Sequence, residues 1–310
     1  MKLLFFNDYR LGVALDDSVV DVTEAVADLP QATPQELMTA VIVGWDGLRS
    51  RLQAAAEAGA GVPLDAVQVR PPVPAPVNID CMARNYMEDG SLSEKPPING
   101  FHKTPSSIVG HGDTMVLPDI PATIFEGEAE LGVIIGRRGK DIGVSEAMRY
   151  VFGYTNLIDG SARGIPPREN AFYQMKSRDT FCPIGPFLVT ADEVPEPQNM
   201  PVRLWNSGVL MQSFNTLDMA YDIAESISFV SSVHTLQPGD ILATGTNHRG
   251  LHPFMDGDVV ELEVGNLGRL RILVRDDLRR TWKRESRHDR ALAGLKGTTP
   301  QLTGKYAAGS

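Results

Sequence analysis

Apolar residues near the start of the chain fall in short runs, Leu3-Leu4-Phe5-Phe6, Leu11-Gly12-Val13-Ala14-Leu15 and Val19-Val20-Asp21-Val22, with Asp16-Asp17-Ser18 between the last two. Runs of this length separated by turn-forming residues predict a small β meander over residues 2–22. The spacing then becomes helical. Pro34 after Thr33 suits a first helical turn, and Leu48, Leu52 and Ala55 continue one apolar face toward Gly61, with Gly44 and Gly47 marking a break. The run Arg70-Pro71-Pro72-Val73-Pro74-Ala75-Pro76 cannot be helical and favours an extended connection. A boundary is therefore expected there, between a small N-terminal α/β domain (1–70) and a larger domain (71–283).

Beyond the boundary the pattern is strand-like, with Gly and Pro punctuation throughout. Two helices stand out. One is expected from Ser145 as N-cap to Phe152, ending at Gly153. The other begins near Asn215 and carries Leu217, Tyr221, Ala224 and Ile227 up to about Val230. Residues 258–264 alternate apolar and acidic side chains, and 269–274 follow the Gly265-Asn266-Leu267-Gly268 turn, which predicts a β-hairpin. The polar stretch 284–310 is expected to be a loosely ordered tail. The fold class read from this pattern is α+β, predominantly β.

Composition narrows the function. The chain has 310 residues, 42% of them hydrophobic, enough for a large core. With 39 acidic against 29 basic residues its formal net charge is -10, a field that repels nucleic acid and anionic membranes. An anionic substrate would need locally placed cations. The two cysteines, Cys81 and Cys182, are too few for a disulfide scaffold and fit a reducing compartment. The apolar start is cut short by Asn7, Asp8 and Arg10, and no later stretch is long enough to span a bilayer. A soluble, cytoplasmic protein is expected.

Glu126-Gly127-Glu128-Ala129-Glu130 runs directly into Leu131-Gly132-Val133-Ile134-Ile135. In a strand, alternate glutamates share one face about 7 Å apart, and such crowding calls for protons or a cation. Asp159, at the end of the apolar Tyr154-Thr155-Asn156-Leu157-Ile158, can complete an all-oxygen site suited to Mg²⁺ or Mn²⁺. No HExxH or CxxC pattern competes for a softer metal.

Several further segments, taken in order, make the sequence recognisable: Cys81-Met82-Ala83-Arg84-Asn85-Tyr86, Lys103-Thr104-Pro105-Ser106-Ser107, Glu128-Ala129-Glu130-Leu131, residues 154–163, KSRDTFCPIGP at 176–186, Asn215-Thr216-Leu217-Asp218-Met219 and residues 238–246. Over nearly its whole length the chain resembles the fumarylacetoacetate hydrolase family. The resemblance implies a mixed β-roll catalytic domain, a homodimer or larger homo-oligomer, and Mg²⁺ or Mn²⁺ held by Glu128, Glu130 and Asp159, leaving Glu126 out. It also implies that Lys176 assists at the metal-bound water or developing enolate, that Arg84 and Tyr86 border the pocket, and that Thr246 receives a substrate carboxylate or carbonyl. Arg163 matches too, with a structural salt bridge as its alternative role.

The resemblance breaks at the general base. Family hydrolases place a histidine three residues after the tyrosine, where this chain has Asp89. Asp89 is accordingly a candidate base, with His102 and Glu88 as alternatives. Gly164 and Asn247-His248-Arg249-Gly250 also depart from the family pattern and suggest a pocket tuned to a particular substrate. The implied activity is hydrolysis of a C–C bond in a small oxo acid of the acylpyruvate or fumarylpyruvate kind, in aromatic catabolism. Isomerisation or decarboxylation of a 2-hydroxy-diene or 2-oxo dioate at the same metal is the alternative, and a non-catalytic binding protein is a third, less favoured reading.

Overall fold

The structure, a computed structural model, describes residues 1–166 and 172–307. Its spine is an antiparallel pair of long strands, Ile124–Ile135 and Val151–Arg163, in a register that sets Glu128 opposite Asp159. Every residue of Ile124–Ile135 is buried. Alternation sends Phe125, Ala129, Leu131 and Val133 into the main hydrophobic core and turns Glu126, Glu128 and Glu130 to the other face. Gly127 is required where it stands, because a Cβ there would lie 2.4 Å from the Phe254 ring.

Among the described residues this pair belongs to a twelve-stranded sheet. On one side follow Cys182–Thr190 and then the N-terminal meander Lys2–Phe6, Arg10–Leu15 and Ser18–Asp21. On the other side follow Ile241–Ala243, Ile79–Met82 and Gly100–Lys103, with a parallel pairing between the first two. A five-stranded sheet contains the expected hairpin, Val259–Val264 with Arg269–Arg275, whose alternating burial seats Val260, Leu262, Leu270 and Ile272 in the main core. The architecture is α+β and predominantly β, as the hydrophobic pattern indicates.

The N-terminal helices also follow the sequence. Pro34–Val43 opens with a capping box in which the Thr33 hydroxyl accepts from the Glu36 N–H and the Glu36 carboxylate accepts from the Thr33 N–H. The helix breaks at Gly44 and resumes as Trp45–Ala58. Because Lys2–Phe6 pairs with Cys182–Thr190, residues on both sides of the proline-rich connection share one sheet.

Three expectations change. The helix foreseen over 145–152 is one turn, Val144–Ala147, plus a 3-10 turn, Met148–Tyr150. Val151 instead starts the long strand, where pairing with Ile135 outweighs the local helical signal. The helix foreseen from Asn215 is a 3-10 turn, Thr216–Asp218, followed by Ile223–Val233 with its own Asp222/Glu225 capping box. The expected loose tail is built into the fold over its described part. Arg287–Leu292 is a helix capped by Ser286, Gln301–Thr303 pairs with Thr281–Trp282, and Arg284 is ion-paired with Asp258. Among the described residues no helix is long and apolar enough to cross a membrane.

His252 makes part of this packing sensitive to pH. It is 1% exposed, its Nδ1–H donates to the Gly250 carbonyl and its Nε2 accepts from the Asn206 amide. Burial, reinforced by the Arg284 charge, lowers its pKa to about 4. The ring is therefore neutral in the fold, whereas an unfolded chain takes up the proton near pH 6.5. Stability is fully present above about pH 6.5 and is lost as pH falls toward 4, by about 3 kcal/mol from this residue. Urea midpoints measured from pH 7.5 to 4.5 are expected to fall less steeply in His252→Gln than in the parent. An unchanged slope would mean that the ring is already protonated in the native state.

Candidate active site

One oxygen from each of Glu128, Glu130 and Asp159 lies within 4.8 Å of the others, and all three residues are buried. Two lysines reach this cluster. The Lys176 ammonium donates to Glu128 Oε1 at 2.8 Å and to Asp159 Oδ2 at 2.5 Å. The Lys103 ammonium, also buried, donates to Asp159 Oδ1 at 2.7 Å and to the Lys176 carbonyl. Among the described residues Glu130 accepts only a backbone hydrogen bond, from the Gly245 N–H at 2.7 Å.

The charges are thus unevenly shared. Burial alone would raise the Glu128 pKa, but Lys176, Arg163 and His248 outweigh it and hold this carboxyl well below the usual range. Glu130 is pushed well above that range by burial and by the neighbouring Asp159 and Glu128. Burial pulls Lys103 down, yet the attraction of Asp159 and its other neighbours leaves it raised. Surplus negative charge on a compact set of hard oxygens fits a small divalent cation of the Mg²⁺ or Mn²⁺ class. Glu128, Glu130 and Asp159 are the residues that would hold it.

Glu126 lies outside this set. Its carboxylate accepts from Arg163 Nε at 3.0 Å and from Arg287 at 3.0 and 2.5 Å, while Arg163 also bridges to Glu128. Arg163 therefore joins the two glutamates in a buried ion-pair network. Arg287 comes from the segment expected to be a loose tail, and the sequence reading missed it.

A cavity of about 460 Å³ opens beside the carboxylates, with Glu128 and Lys176 in its wall. Arg84, Arg163, Arg287 and His248 also line it, which supplies the local attraction for an anion that the net charge lacks. Arg84 is exposed at φ 56°, and among the described residues its side chain has no ion-pair partner. The Tyr86 hydroxyl is buried in the same wall. Thr246 Oγ1 lines the cavity and accepts from Gln212 Nε2 at 3.1 Å, and Gln212 Oε1 in turn accepts from the Ala129 N–H. Gln212, which the sequence reading did not single out, ties the Thr246 loop to the strand that carries the glutamates. A stacked pair, Phe101 and Phe172, adds an apolar wall.

The two preferred base candidates do not reach this cavity. Asp89 is an exposed carboxylate paired with Arg249 at 3.2 Å, and its side chain borders a separate depression. His102 is 58% exposed, bonds to Asp80 and faces a different pocket. Glu88 and Asp89 sit in a loop with left-handed backbone at both positions, φ 57° and 55°, in which Glu88 lines the cavity and Asp89 turns to Arg249, while His102 faces Asp80 across the strand pair. Inside the cavity Glu88 Oε1 meets His248 Nδ1 at 2.6 Å, and Glu88 Oε2 accepts from the His248 N–H at 2.9 Å. A proton on Nδ1 shared with the carboxylate leaves Nε2 as the basic nitrogen. Of the sequence-stated alternatives only Glu88 is in place, and its histidine lies 160 residues away in the chain.

Residues 78–275 match the model of the fumarylacetoacetate (FAA) hydrolase C-terminal family. The fold is similar to the crystal structure of maleylpyruvate hydrolase from Sphingobium sp. SYK-6 in complex with manganese(II) ion and pyruvate, with a TM-score of 0.81 and 35% identity over 89% of this chain and 99% of that one. In sequence the chain is 32% identical to maleylpyruvate hydrolase from Aquipseudomonas alcaligenes over 89% of its own length and 99% of the relative's. It is also 35% identical to a mitochondrial oxaloacetate tautomerase from Rattus norvegicus, over 83% of its length and 84% of the relative's. These relatives are enzymes of more than one reaction type. Taken with the carboxylate set at the spine of the sheet, the matches establish that the chain belongs to the fumarylacetoacetate hydrolase family.

Proposed function

We propose that this protein is a divalent-metal-dependent hydrolase that cleaves a C–C bond in a small oxo acid of the acylpyruvate class, in the catabolism of aromatic compounds. One observation carries the reading: a carboxylate–imidazole pair, Glu88 and His248, lines the same cavity as Glu128 and Lys176. When bound at Glu128, Glu130 and Asp159, Mg²⁺ or Mn²⁺ supplies Lewis-acid polarisation of a dicarbonyl oxygen. Arg84 and Arg287 bind the substrate carboxylate, and Lys176 donates a hydrogen bond to the oxygen on which negative charge develops. His248, oriented by Glu88, takes a proton from water as the water oxygen bonds to the acyl carbon. The C–C bond then breaks toward the pyruvyl fragment, and the proton returns from His248 to the departing carbon. The products are a carboxylic acid and pyruvate, with one water consumed.

A second reading, tautomerisation or isomerisation, keeps the carboxylates and Lys176 but needs no activated water. It is supported by the similarity to oxaloacetate tautomerase. A panel of acylpyruvates assayed with Mn²⁺, with Mg²⁺ and after EDTA separates the two. Two acid products that vanish with EDTA and return with metal are expected. A single product of unchanged mass would overturn hydrolysis in favour of isomerisation, and full activity after exhaustive metal removal would overturn metal dependence.

A further inference from the structure

His102 belongs to a second cluster, on the other side of its strand from the active-site cavity. Asp80 and His102 face each other across the antiparallel strands Ile79–Met82 and Gly100–Lys103. His234 immediately follows the helix Ile223–Val233 and serves as its C-cap. Nε2 of His102 lies 2.9 Å and Nε2 of His234 2.8 Å from the same oxygen, Asp80 Oδ1. Among the described residues the other carboxylate oxygen, Asp80 Oδ2, has no hydrogen-bond partner, and it is buried on a residue only 3% exposed. The three residues line a cavity of about 240 Å³ together with Phe229 and Val233.

Three features favour a cation here. His234 Nδ1 lies 3.2 Å from the Thr235 carbonyl, so a proton on Nδ1 of the neutral ring leaves the Nε2 lone pair aimed at Asp80. In that tautomer the lone pair and the carboxylate oxygen repel each other unless a proton or a metal ion lies between them, and a backbone carbonyl on the far nitrogen is how metal-binding imidazoles are commonly oriented. The last carbonyls of the eleven-residue helix Ile223–Val233 add partial negative charge beside His234. The unpartnered Asp80 Oδ2 offers a further donor.

We propose that Asp80, His102 and His234 form a second metal site, selective for Zn²⁺ or a similar late transition ion rather than Mg²⁺. Two imidazoles and one carboxylate suit such an ion and leave a coordination position open to the cavity. The site clamps the end of the helix to the strand that, one residue later, sends Lys103 to Asp159.

The test is Zn²⁺ stoichiometry on the full chain, measured by elemental analysis after gel filtration. With excess Mg²⁺ present to fill the carboxylate site, one Zn²⁺ per chain is expected for the parent protein and none for His234→Gln or His102→Gln. Glu130→Gln, which disables the carboxylate site, should retain one ion, and combining it with His234→Gln should leave none. His102 is more than half exposed, so its replacement leaves the core intact and keeps the test valid if His234→Gln fails to fold. With Co²⁺ as probe, visible absorption typical of four-coordinate nitrogen and oxygen ligation should be lost in His102→Gln. Equal zinc content in the parent and both histidine variants would overturn the proposal.

Discussion

Asp159→Ala is expected to abolish turnover and to lower the unfolding free energy by about 3–5 kcal/mol, the range for removing one partner of a buried ion pair. Both effects follow from what this carboxylate touches. One oxygen accepts from Lys103 and the other from Lys176, and all three side chains are shielded from solvent. Its loss leaves two buried ammonium groups short of a partner and removes one of the three proposed cation ligands. Glu130→Gln provides the contrast. No lysine hydrogen-bonds to Glu130, and its charge is crowded by Asp159 and Glu128. That variant should lose activity and metal-dependent stabilisation while the metal-free protein unfolds at a denaturant concentration close to the parent's. Urea titrations with and without Mn²⁺ read both quantities. Equal destabilisation by the two substitutions would show that the lysines are not held by Asp159 as described.

His248→Ala is expected to reduce kcat for C–C cleavage by about 10²–10⁴-fold, the usual contribution of a positioned acid–base group, with KM changed only a few-fold. Glu88→Gln should act in the same direction by a smaller factor, since Glu88 orients the imidazole through its Nδ1. Asp89→Ala loses only an exposed pair with Arg249, worth about 0–1 kcal/mol, and should leave kcat unchanged. Steady-state kinetics on the three variants gives a clear ranking. Wild-type turnover in His248→Ala would remove the imidazole from the mechanism and favour the reading that needs no activated water. A collapse of kcat in Asp89→Ala would restore the base role to the position that the family pattern indicates.

The carboxylate site was legible in the sequence because strand geometry is regular. Glutamates at alternate positions must share a face, and a strand of opposite direction needs only one well-registered aspartate to meet them, as Asp159 does opposite Glu128. The hairpin near 265 and the helix start at Pro34 were legible for the same reason, since each rests on local periodicity or on turn chemistry. What escaped depends on irregular backbone or on distance along the chain. Left-handed φ at Glu88 and Asp89 exchanges which of two adjacent carboxylates faces the cavity. Lys103 lies on a short strand whose neighbour His102 drew attention by its chemistry, although only Lys103 points to Asp159. Gln212 and Arg287 reach partners 83 and 161 positions away in the chain, and neither stands in a pattern that marks it. The helix expected at 145–152 yielded to a strand whose partners lie elsewhere in the sequence.

The pairing of Glu126 with Arg287 bears on the order in which the protein is made. The two residues are 161 positions apart, so the glutamate and its strand leave the ribosome well before the arginine is synthesised. Until then, among the described residues, a carboxylate destined for complete burial has only Arg163 to neutralise it, and that same guanidinium is also engaged by Glu128. A nascent chain stopped short of Arg287 thus carries an electrostatic debt at its centre, which discourages premature closure of the sheet around the site. Arg287 thus closes the ion-pair network beside the pocket only after both carboxylate-bearing strands have been made.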